Sequence, residues 1–132
     1  MSVSEPTSYV VVEFDESAPV RPGFDRLRSL VDEGSVSVLD VEFIRSIQGI
    51  GSTVPASRVD AGLGEFDALD TRMLSQSDLD VIVDTITGRH MVAAALVYTG
   101  PIGEVLGEWA SAGAAVVLQG TVADSGTGVL GG

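Results

Sequence analysis

The chain has 132 residues and carries nineteen acidic side chains against seven basic ones, for a net charge of −12. That length allows one domain with a single core. The charge repels phosphate backbones and anionic bilayers, which argues against nucleic acid and membrane surfaces as partners. Cysteine is absent, so disulfides and thiolate metal sites are excluded. With no basic-then-apolar leader at the start, the expectation is a cytoplasmic protein.

Residues 1–8 read as a polar leader. Residues 9–14 are dense in β-branched and aromatic side chains and predict a first strand. Pro22 then opens a run in which Phe24, Leu27, Leu30 and Val31 recur at helical spacing, and Gly34 stops it. Residues 36–47 are extended, and their apolar phase switches between Val38 and Leu39, which predicts a bulge. Beyond it Leu39, Val41 and Phe43 alternate with Asp40 and Glu42, which reads as a strand with one wet side.

Residues 48–72 are the least regular part, and 53–59 suit a short edge strand. Ser75 with Asp78 three residues later forms a variant of the capping box, opening a helix with Leu79, Ile82, Val83 and Ile86 as its apolar stripe and Gly88 as its stop. Residues 91–98 are apolar throughout, as a strand covered on both faces must be. A second bracketed helix lies between Pro101 and Gly113, with Ile102, Val105, Leu106, Trp109 and Ala110 on its buried side. Residues 114–122 form the last strand, and 123–132 are a Gly/Ser-rich tail.

The chain is thus strand–helix–strand twice. The expected architecture is an α+β, ferredoxin-like sandwich: two split βαβ units forming a four-stranded antiparallel sheet, with residues 48–90 inserted between the halves. Two helices cover one sheet face only, yet the strands at 9–14 and 91–98 are apolar on both. Something must cover the second face. A second subunit packing on Val11 and Val97 is the first expectation, the inserted helix the second, and a small ligand the third.

The inventory for catalysis is thin. His90 is the sole histidine and stands at a strand entrance with no orienting partner in view. Asp40 and Glu42 project from one strand face about 7 Å apart, a spacing open to acid–base work where burial separates two carboxyls. Arg45 could neutralise an acid or anchor an anion, and Tyr98 closes a strand. The glycine-rich stretch at 49–53 lacks the lysine of a phosphate loop and reads as a hairpin tip. The acids between Asp60 and Asp84 lack calcium-loop spacing and read as a solvated surface. The chain ends in Gly131-Gly132, like a ubiquitin-like modifier, although that fold has a different strand–helix order.

Taken in order, YVVVEF at 9–14, VLDVEF at 38–43, FDALD at 66–70, LSQSDL at 74–79 and ALVY at 95–98 are similar to an uncharacterised family of short, acidic bacterial proteins, frequent in actinobacteria. The resemblance spans residues 9–120 and implies neither an activity nor a cofactor. Relatives often carry an acid and a tryptophan after the third strand, where this chain has Thr99, Gly100 and Pro101.

The functional expectation is a non-enzymatic small protein acting by homo-oligomerisation or as a binding or regulatory module, with no cofactor and no metal. Its interface or ligand residues would be Val11, Asp40, Glu42, Arg45, His90, Val97 and Tyr98. Two alternatives stand beside it. One is a cofactor-independent enzyme with a pocket between the sheet and the inserted helix. The other is a partner protein docking or conjugated through its tail.

Overall fold

The structure is a computed structural model, and it describes residues 7–86 and 90–122. Among these, five strands form one antiparallel sheet: β1 (Ser8–Asp15), β2 (Ser37–Ile47), β3 (Ile50–Val54), β4 (Met91–Thr99) and β5 (Ala115–Thr121), in the order β3-β2-β4-β1-β5. The helices are α1 (Arg21–Asp32), α2 (Ala56–Val59), α3 (Gln76–Val83) and α4 (Gly103–Ser111), with a 3₁₀ segment at Ala61–Leu69.

The bracketing residues act as their chemistry dictates. Pro22 sits in the first turn of α1, and Gly34 and Gly113 follow α1 and α4 at φ +82° and +92°, where a side chain would be strained. Ser75 and Asp78 make the full reciprocal capping box of α3. Gly88, the expected stop of this helix, lies outside the described residues, as do residues 1–6 of the leader and the whole 123–132 tail.

The sheet differs from expectation by one strand. Gln48 and Gly49 both take positive φ, 54° and 82°, and this two-residue turn sets Ile50 opposite Ile47. The return strand therefore begins at the turn itself and ends before Pro55. The edge strand expected at 53–59 is thus shifted to Ile50–Val54, and residues 56–59 coil into α2; paired into the same sheet, this strand brings the count to five where the sandwich was expected to have four.

The first face carries the larger core. Val10, Val12, Phe14, Val41 and Phe43 meet α1 and α4 there, and Phe24 is the hub, in ring contact with Phe43, Phe66 and Trp109. Gly23 lets α1 approach α4 closely, since a Cβ at that position would collide with the Trp109 indole.

The second face is closed within the single chain. Leu79, Ile82 and Val83 of α3 pack on Val11, Ile44, Ala93 and Ala95. Val11 and Val97 are each only 1% exposed. The inserted helix, the second of the three expected covers, occupies this face.

Candidate functional site

The bulge expected in β2 is present: the register with β4 shifts between Val38 and Asp40, and Leu39 is turned outward. The shift aims Asp40, Glu42 and Ile44 at the second face, opposite Val97, Ala95 and Ala93. A wet side was expected here. Instead Asp40 and Glu42 are 1% and 2% exposed, because the segment 70–75 and α3 lie over them.

The two carboxyls are held by backbone. Thr71 N–H donates to Asp40 Oδ1 at 2.8 Å and Met73 N–H to Oδ2 at 3.2 Å, while Leu74 N–H donates to Glu42 Oε2 at 3.0 Å. The Thr71 hydroxyl bonds Leu39 O at 2.7 Å, tying the same strap to the bulge. Strap donors thus find acceptors in buried acids rather than in water, as buried backbone requires.

Burial first, then the hydrogen bond to Asp40, pushes the Glu42 carboxyl up to about 9, against the opposing pull of Leu74 N–H; the charges of Asp40 and Asp70 add to the rise. At neutral pH Glu42 therefore keeps its proton and donates it to Asp40. Asp40 and Glu42 thus form a hydrogen-bonded acid pair on one strand face.

Asp70 completes the group. Carboxylate oxygens of Asp40, Glu42 and Asp70 all lie within 4.8 Å of one another. Oxygen donors of this kind suit a hard cation such as magnesium or calcium, although three of the buried oxygens already accept strap N–H groups. On its other side Asp70 lines a cleft of about 340 Å³ with Thr53, Val54, Pro55, Asp67 and Arg72. Arg72 stands at φ 55°, an unusual conformation for a bulky side chain, with its N–H bonded to Asp70 Oδ1 at 3.2 Å. Asp67 is already engaged, accepting from Ala56 N–H at 2.6 Å and from the Ser57 hydroxyl at 3.1 Å.

The remaining candidates do not join this cluster. Arg45 and His90 meet at Glu16 instead, Arg45 Nη1 at 2.8 Å from Oε2 and His90 Nδ1 at 3.3 Å from Oε1, with His90 71% exposed. Tyr98 packs against the first-face core, and burial raises its phenol above the usual value. Asp40 and Glu42 are brought together, Val11 and Val97 are buried in the monomer, and Arg45, His90 and Tyr98 lie elsewhere.

The acidic stretch at 60–84 is largely structural. Asp60 accepts from Gly62 N–H and pairs with Arg21 at 2.5 Å, Asp78 caps α3, and Asp80 accepts from the Gln76 amide at 3.1 Å. The hydrogen bond from Arg21, then that from Gly62, holds Asp60 below the ordinary carboxylate value.

Sequence reading did not single out Thr71, Arg72 or Glu13, the last being a further buried acid at 6% exposure. Thr71 and Arg72 each donate a backbone N–H, which any residue type but proline supplies, while the Thr71 hydroxyl on Leu39 O and the Arg72 side chain on the cleft wall depend on a strap without sequence periodicity.

No helix among the described residues is long and apolar enough to cross a membrane. Comparison with protein-family models, curated proteins and solved structures gives no significant match.

Proposed function

We propose that the chain is a non-enzymatic binding or regulatory module whose ligand site is the cleft at Asp70 and Arg72. The observation that carries this reading is the double placement of Asp70. It stands on the cleft wall and within 4.8 Å of the buried Asp40–Glu42 pair. A ligand charge arriving at Asp70 acts on the Glu42 proton, and through it on the strap that roofs the pair. A pocket with convergent polar groups, one of them close to a buried carboxyl of raised pKa, is where a binding site is sought first. Two carboxylates face one guanidinium on its wall, which favours a small neutral or cationic polar ligand over an anion.

Catalysis is the weaker reading. Both acids of the pair spend acceptor oxygens on backbone N–H groups and are closed from solvent, and among the described residues the group that converges on them is a third acid, Asp70, with no histidine or lysine beside it. Self-association belongs to the same proposal, as does a cytoplasmic location, which the lack of cysteine favours. Membership of the acidic bacterial family rests on the five motifs given above. The ferredoxin-like plan is part of this reading too. Leaving out β3, the order β2-β4-β1-β5 is the one that two split βαβ units generate.

Native mass spectrometry of the chain purified from its natural host tests the ligand site. The expected result is a bound mass that disappears in Asp70→Asn and Arg72→Ala and persists in Arg58→Ala. A chain that carries no added mass, and whose Asp70 and Arg72 amide signals are unmoved by a panel of small amines and polyols, would overturn it.

A further inference from the structure

The sheet has two edges, and the chain treats them differently. At the β3 edge the strand is five residues long, ends at Pro55 and is capped by α3: the Gln76 amide donates to Gly51 O at 3.4 Å, and a Cβ at Gly51 would lie 2.8 Å from Leu79 O. Short length, proline and a covering helix are the usual means of blocking an edge.

The β5 edge has none of them among the described residues. Among the described residues β5 bonds to β1 alone, it contains no proline, and residues 114–123 carry no charged side chain in a chain of net −12. Val116 is 42% exposed, and Val117 and Leu118 are half-buried, so apolar surface reaches both faces at this edge.

The helix above continues the surface. Glu104 bonds Arg26, which fixes the flank of α4 that faces α1. At about 3.6 residues per turn, Gly103, Leu106 and Ala110 fall on the opposite flank, over β5. Both acids of α4, Glu104 and Glu108, stay on the α1 side. A Cβ added at Gly103 would meet nothing within 4 Å, so backbone is bare on this flank.

We propose that β5 pairs antiparallel with β5 of a second copy across a two-fold axis, extending the sheet through both chains, with the Gly103–Leu106–Ala110 flank of α4 packing on its symmetry mate. This rests on the reading that the chain self-associates, and it names the surface. The charge argues for a second copy over other partners. Juxtaposing two chains of −12 at random opposes like charges, and this edge with its helix flank brings two uncharged surfaces together. A two-fold interface needs a self-complementary patch, and an antiparallel strand edge is one. A strand edge alone falls short of the roughly 1,200 Å² at which stable interfaces begin, which is why the α4 flank is part of the proposal.

Sedimentation velocity of the full chain, with Val116→Lys and Ala110→Glu variants, tests this. Both positions are exposed in the single chain, and circular dichroism checks that each variant is folded. The expected result is a dimer of the 13.6 kDa chain whose dissociation constant rises at least tenfold in each variant. A dimer unaffected by either substitution would overturn the edge assignment and leave self-association standing. A wild-type monomer at all concentrations would overturn both. A monomer that dimerises only after removal of residues 123–132 would assign the edge to the chain's own tail, and would also overturn the proposal.

Discussion

At the scale of single residues, the chain places a proton where sequence alone suggested a solvated pair. Glu42 is neutral at pH 7 because burial and the neighbouring Asp40 raise its carboxyl from 4.5 to about 9. The unfolded chain ionises the same group near its ordinary value. Between roughly pH 4.5 and 9 the folded state therefore binds the extra proton, and the stability it contributes falls steadily as pH rises through that window. Glu42→Gln keeps the shape, can donate its amide to Asp40 and can accept from Leu74 N–H. Thermal unfolding should show it level with the parent near pH 5 and more stable than the parent at pH 8–9. Asp40→Asn is expected to act differently. It replaces an acceptor oxygen with a donor facing the strap N–H groups, and should cost about 1–3 kcal/mol at neutral pH. The alternation at 39–43 did locate this pair in the sequence. Its burial was not legible, because the cover comes from residues thirty positions away.

At the scale of elements, local chemistry and tertiary cover divide cleanly. Proline at the start of α1, glycines beyond α1 and α4, the Ser75–Asp78 box and the phase switch at Leu39 are each decided within a few residues, and each was readable in advance. The β2–β3 hairpin was only half readable, since Gln48 enters the left-handed region without being a glycine or asparagine and gives a weak turn signal. The strap at 70–75 has no periodicity and so left no pattern. It is built from N–H donors that find buried carboxyls, and it delivers the chain to the start of α3. Because this cap joins strap to helix, Ser75→Ala should cost about 1 kcal/mol. Hydrogen exchange would show the loss concentrated at the amides of α3 and of Leu74, with β1 and β4 unchanged. Equal loss across the sheet would mean that the strap and α3 do not open as a separate unit.

At the scale of the whole molecule, the second sheet face decides the account. Apolar strands at β1 and β4 required a cover on both sides, and this requirement followed from sequence. Which cover won did not, because an intramolecular helix and a second subunit bury the same side chains. Here α3 lies on that face, so Val11 is satisfied inside one chain and any association must use other surface. The inserted segment does more than cover apolar residues. It seals two acids against the sheet and leaves Asp70 on the rim of a cleft, within 4.8 Å of both, where it links solvent charge to the buried Glu42 proton.

That linkage is tested most directly by carbon-detected NMR titration of the Glu42 side-chain carboxyl in the parent chain and in Asp70→Asn. The account predicts a midpoint near 9 in the parent and a lower one in the variant, since the Asp70 charge helps hold the proton. A midpoint near 4.5 in the parent, or one that Asp70→Asn leaves unmoved, would contradict it.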